Sequence, residues 1–213
     1  MDEEFQRLLE RVRNEPSGPE ETAVLGTLVA LARQATASAP EEAGRAAARA
    51  ELAVILTEAG QPLWVREVAA FALGCARDRR AFETLVLLLN HRDPGRCATA
   101  AHALARLGDP RTARAAAALA TNPLRTAYAL HAVRLLTVLR APESAPALTE
   151  TLERLLVSQP GHERVALACV EGLGTLGDRR AVAVLALARE RPWLAAPAAA
   201  ALARLERERP PRS

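Results

Sequence analysis

The chain of 213 residues contains no lysine: all 28 of its cationic side chains are arginine. Isoleucine occurs once and aromatic residues make up 3% of the sequence. Beside abundant Ala and Leu, that scarcity weighs against strands and favours helices, so an all-α fold is expected. Three cysteines, Cys75, Cys97 and Cys169, lie far apart, form no CxxC pair and are odd in number, which argues against a disulfide framework and for a reducing cytoplasm. No apolar run approaches the roughly 18 residues of a membrane span. The start, "MDEEFQRLLERVR", is acidic and amphipathic rather than basic and then apolar. A soluble, cytoplasmic chain with no membrane partner is the expectation.

Catalytic motifs are missing as well. His91, His102, His131 and His162 show neither HxxxH nor HExxH spacing, and a histidine pair without a third ligand seldom holds a metal. The glycines of "EGLGTLGD", from Glu171, lie in a helix-and-turn repeat and not between a strand and a helix, so they form no phosphate loop or nucleotide fingerprint. The cysteines occupy Ala-like helical positions, where a small buried hydrophobe is the default. No metal, no cofactor, no catalytic residue and no enzymatic activity are expected.

What is present is an apolar half of the sequence, enough for one sizeable core or a continuous array of small units. The net charge of +3 is unevenly spread. Residues 1–60 carry 6 Arg against 11 Asp and Glu, net −5, whereas residues 61–213 carry 22 Arg against 14 acids, net +8. Because Arg, Ala, Pro and Gly all have GC-rich codons, the arginine excess reads as compositional bias rather than selection for phosphate, and nucleic acid is disfavoured as a partner.

One phrase recurs: "LGDPRTARAAAAL", residues 107–119, and "LGDRRAVAVLAL", residues 176–187. Three segments align around it, "AAFALGCARDRRAFETL" from Ala69, "AAHALARLGDPRTARAA" from Ala100 and "ACVEGLGTLGDRRAVAVL" from Ala168. A degenerate copy, "LHAVRLLTVLRAPESAPAL" from Leu130, is read with Arg140 in place of the Asp, and a half-copy starts at Pro192. Periods near 30 residues signal a solenoid. Within each unit the apolar spacing is helical: Val65, Ala69, Ala72, Leu73 and Ala76 share a face, as do Ala100, Ala101, Leu104 and Leu107. In "LGD" the Gly allows the left-handed backbone that ends one helix, and the Asp caps the next. Turns at "HRDPG", "TNPL", "QPGHE" and "RPW" close each helical hairpin.

This pattern, with "VREVAAFALG" followed by D-x-R, resembles the HEAT-like repeats of the phycobilisome-lyase type over residues 62 to about 205. The resemblance implies a right-handed α-solenoid, a superhelix of helical hairpins with first helices convex and second helices concave. It also implies a ladder between units made by the turn residues Asp78, Asp109 and Asp178 with Arg80, Arg111 and Arg180. The units fall at about 62–91, 92–122, 123–158 and 160–190, with a terminal helix at 192–208 and a frayed tail at 209–213. Residues 1–60 lack the phrase and read as an atypical cap with helices at about 2–14, 20–36 and 41–59 and a polar outer surface. Trp64 and Trp193, each after a Pro, read as covers of inter-unit seams.

The functional expectation is a non-catalytic scaffold or adaptor that binds another protein, one with an acidic or helical segment, through the concave face or a basic rim. Arg79, Arg80, Arg111, Arg179 and Arg180 fall at the starts of second helices, where the helix dipole disfavours cations. Those outside the ladder, Arg77, Arg79, Arg114 and Arg179, read as a basic stripe for an acidic partner. The acidic cap of a second copy is one such partner, giving head-to-tail association. Two other classes stay open: an accessory subunit of a bilin lyase, implied by the resemblance alone, and a weak nucleic-acid binder akin to HEAT-like DNA glycosylases. The second lacks the clustered aromatics of a base-binding cleft, since Trp64 and Trp193 stand nearly the whole array apart.

Overall fold

A computed structural model describes residues 3–37, 42–157 and 161–207, and its regular structure is entirely helical among these residues. The helices are α1 (Glu3–Val12), α2 (Pro19–Thr36), α3 (Glu42–Thr57), α4 (Leu63–Cys75), α5 (Phe82–Leu89), α6 (Pro94–Leu107), α7 (Arg111–Thr121), α8 (Leu130–Leu139), α9 (Ser144–Val157), α10 (Glu163–Leu176), α11 (Val182–Arg189) and α12 (Ala195–Arg207). Short 3₁₀ turns occupy Arg79–Ala81, Pro123–Tyr128 and Arg179–Ala181. The expected tail at 209–213 and the start of the "QPGHE" turn lie outside the described residues, and none of the described helices is long and apolar enough to cross a membrane.

The chain forms two compact units, residues 1–112 and 113–213. In the first, the hairpin of α2 and α3 packs on α4, α4 packs on α5 and α6, and α1 crosses α4 and α6. Helix α4 is therefore enclosed on all sides. Its sequence matches that setting, with Trp64, Val65, Val68, Ala69, Phe71, Ala72 and Leu73 all buried, as an apolar circumference requires. Ring stacking continues this core from Phe5 through Phe71 to His102, with centroids 5.7 and 5.8 Å apart. In the second unit α8, α9 and α10 pack together, and α12 lies on α10 and α11. Leu136, Leu148, Leu152, Leu173 and Leu185 fill its core.

Helix ends follow the repeated phrase with two corrections. Gly108 and Gly177 take the left-handed conformation, at φ 67° and 77°. In the other two hairpins the same position is filled by Arg77 (φ 59°) and Arg140 (φ 51°). Arg140 thus stands where the glycine belongs, and Ala141 where the aspartate belongs. Ser144 ties this turn together instead: its hydroxyl accepts from the Ala141 N–H at 3.1 Å and donates to the Leu136 carbonyl at 2.7 Å. The "TNPL" turn is likewise more ordered than a loop, since Asn122 Oδ1 accepts from the Leu124 N–H at 3.0 Å and opens a 3₁₀ turn.

Ala43, Ala46, Ala47, Ala50 and Val54 are exposed on α3, and Ala196, Ala199 and Ala200 on α12. Alanine keeps these faces helical while adding little apolar area. Trp64 is buried, whereas Trp193 is 48% exposed.

Close approach between α10 and α12 depends on Gly174. A Cβ there would lie 2.8 Å from Ala201 Cβ and 3.0 Å from Ala201 Cα, on a helix backbone that cannot rotate away. Gly174→Ala is expected to destabilise, because overpacking of about 1–3 kcal/mol outweighs the roughly 1 kcal/mol gained in helix propensity. Gly26 in α2 has nothing within 4 Å of such a Cβ, so Gly26→Ala gains propensity alone and raises stability. Thermal melts followed by circular dichroism should show shifts of opposite sign.

Candidate functional site

Each recurring D-x-R turn has one geometry. Asp78 Oδ1 accepts from the Arg80 N–H at 3.1 Å and from its Nε at 2.9 Å, while Oδ2 receives Nη2 at 2.6 Å. Asp109 and Arg111 repeat it at 2.9, 3.0 and 3.0 Å, and Asp178 and Arg180 at 2.9, 3.0 and 2.6 Å. The aspartate therefore caps the next helix and grips the arginine two residues on. Spacing of two in a tight turn brings the guanidinium fork back onto its own carboxylate.

Contacts beyond the turn differ from repeat to repeat. Arg80 Nη2 reaches the Arg49 carbonyl of α3 at 3.4 Å. Arg111 donates to Glu83 at 3.1 Å and lies 3.9 Å over the Phe82 ring, touching the preceding hairpin. Glu83 and Arg49 escape sequence reasoning because nothing in their own segments marks them. The 3₁₀ turns also revise the dipole argument: α5 starts at Phe82 and α11 at Val182, so Arg79, Arg80, Arg179 and Arg180 precede the α-helical turns that carry the dipole.

Hydrogen bonds from the arginine side chains, then from the backbone N–H, hold the Asp78, Asp109 and Asp178 carboxyls below the usual aspartate value against the opposing effect of burial. A folded-state pKa below the unfolded one gives stability that is fully present above about pH 4 and is lost as pH falls through the lowered value. Replacing all three by Asn is expected to lower stability at neutral pH and to flatten its decline in acid, read by urea unfolding across a pH series. Asp109→Ala alone should cost about 0.5–2 kcal/mol as a lost cap.

The basic residues are divided between the two units. Arg77, Arg79 and Arg80 join Arg49, Asp78, Ala46 and Ala76 around a cleft of about 420 Å³ in the first unit. Arg111 belongs to the same unit, whereas Arg114, Arg179 and Arg180 belong to the second. Among the thiols, Cys97 and Cys169 are buried, and burial pushes the Cys169 thiol up to about 12, which leaves it protonated and inert at neutral pH. His91 Nδ1 accepts the Asp93 N–H at 3.0 Å beside the α6 cap. No cluster of three or more His, Cys, Asp or Glu among the described residues could hold a metal ion.

The D-x-R geometry recurs on stacked helical hairpins, and residues 50–130, covering α4 to α7, match the family of HEAT repeats. Over that segment the HEAT repeats supply a helical scaffold in which short turns present their polar residues at one end of each hairpin. No curated protein matches the chain. Among solved structures, human deoxyhypusine hydroxylase in complex with glycerol is similar at 15% identity and a TM-score of 0.29, over 89% of this chain and 99% of that one. The expectation that this chain is not an enzyme is withdrawn. Lack of a catalytic motif does not exclude activity, because function resides in sites grafted on a fold. At that identity and score, the likeness transfers neither a reaction nor a residue.

Proposed function

We propose that this chain binds a partner polypeptide across its second helices, with turn arginines at the rim meeting an acidic segment of that partner. The observation that carries the reading is Leu87, 69% exposed on α5, and Leu187, 54% exposed on α11, each nine residues after its turn aspartate. Single exposed leucines are ordinary, but recurrence at one register of two hairpins supports an apolar track on each of these second helices. Helix α11 carries no charge from Val182 to Ala188, and Val182 is also exposed. Arginines flanking an apolar strip suit a partner that is steered by charge and held by packing.

Photoreactive side chains at positions 87 and 187, with Glu171 on the first helix α10 as control, test this in the native cell. Protein adducts at 87 and 187 but not at 171 are expected. Equal labelling at all three, or adducts with nucleic acid only, would count against the proposal. Charge reversal at Arg79 and Arg179 should slow association and reduce its salt dependence with the melting temperature nearly unchanged.

A further inference from the structure

The cleft between α3 and the first D-x-R turn is lined by four arginines, Arg49, Arg77, Arg79 and Arg80, and by one carboxylate residue, Asp78. Two of the four are already engaged. Arg80 is gripped by Asp78 at 2.6 Å, and Arg49 is paired with Glu42 at 2.6 Å. Arg77 and Arg79 are exposed, and neither guanidinium donates a hydrogen bond or forms an ion pair among the described residues. Arg79 acts on the Asp109 carboxyl only through space.

Arg77 adds an independent observation. It holds φ 59° at the position where Gly108 and Gly177 end the equivalent helices. A side chain in that region is strained, and glycine is not. The turn keeps an arginine in this conformation with no side-chain hydrogen bond or ion pair to hold it among the described residues. Strain of this kind collects where a side chain serves a ligand.

We propose that this cleft is an oxyanion site that takes a carboxylate or phosphate group carried by an acidic peptide segment. The inference deepens the partner-binding reading and rests on it for the kind of partner. Arg49 and Arg80, fixed by their own carboxylates, form the rigid wall. Arg77 and Arg79 supply unspent donors, and an entering anion relieves their mutual repulsion. Guanidinium forks match both carboxylate and phosphate oxygens, so the two sources share this chemistry.

The test uses the full chain with a fluorescein-labelled glutamate-rich peptide and the same peptide bearing one central phosphoserine, read by anisotropy. Both should bind, and tighter binding of the phosphopeptide would identify phosphate as the better source. Arg77→Gly should weaken binding by about tenfold or more, in line with a charged hydrogen bond to the anion, while raising the melting temperature by about 2–4 °C as strain is released. Arg79→Gln should weaken binding likewise, and Arg179→Gln, in the second unit, should leave it unchanged. Loss of binding together with a gain in stability is a pairing that a purely structural arginine cannot produce. The proposal is overturned if neither peptide binds, if Arg77→Gly leaves binding intact or lowers the melting temperature, if Arg179→Gln weakens binding equally, or if an oligonucleotide of equal charge binds more tightly with the same dependence on Arg77. Adducts at positions 87 and 187 without peptide binding would overturn this site alone, whereas peptide binding without those adducts would overturn the broader track.

Discussion

Glu67→Ala is expected to lower the unfolding free energy by about 3–5 kcal/mol, the largest effect of any single substitution here, because it strands two cations in the first unit. Glu67 is 1% exposed in the middle of α4. Its carboxylate is held by Arg11 from α1, with Nη1 donating to Oε2 at 2.9 Å and Nη2 paired with Oε1. Arg96 from α6 adds an ion pair at 3.4 Å, and the Thr99 hydroxyl donates to Oε1 at 3.2 Å. Arg96 also donates to Glu15 at 2.6 Å, so the network ties α1 to both α4 and α6. Gross attraction in this network is largely offset by the desolvation of its members, so its removal as a set differs from its disruption. Glu67→Gln should be nearly as damaging as Glu67→Ala. Joint replacement of Glu67, Arg11 and Arg96 by Leu or Met should recover much of the loss. Urea unfolding midpoints measure all three, and a silent Glu67→Ala would show that α1 is not clamped through this carboxylate.

Leu104→Ala is expected to cost about 2–5 kcal/mol through lost burial and a cavity that the surrounding helices cannot close. Leu104 is 0% exposed on α6, which packs against both α4 and α5. Rigid neighbours on two sides place the site at the costly end of that range. Leu87→Ala on the exposed face of α5 should change stability by no more than about 0.5 kcal/mol. The pair separates two leucines of similar helical setting by burial alone, and equal losses would mean that the facing of α5 and α6 is wrong.

The helices were legible in the sequence because their signals are local. The expected cap helices at 2–14, 20–36 and 41–59 appear as α1 to α3 within a few residues, wherever the chain is described. The D-x-R fork is also local, two residues apart in one turn. Arg77 and Arg140 were harder to place, since a non-glycine residue in a left-handed turn leaves no compositional mark. Arg79, Arg80, Arg179 and Arg180, expected at the starts of second helices, precede them, because a 3₁₀ turn intervenes that spacing alone does not reveal. Trp193 shows the same limit, as a Pro-Trp start reads alike whether the ring meets a neighbour or solvent.

Composition, apolar period and turn chemistry thus determined by themselves that this protein is a succession of helical hairpins with capped, arginine-bearing turns. Only the tertiary structure decided that Glu67 meets Arg11 across 56 residues of chain, that Arg49 joins Arg77 and Arg79 around one cleft, and that Leu87 faces out while Leu85 faces in. The reason is physical: backbone preferences and caps act within a few residues, whereas charge pairing and burial depend on which distant segments the packed helices bring within a few ångströms.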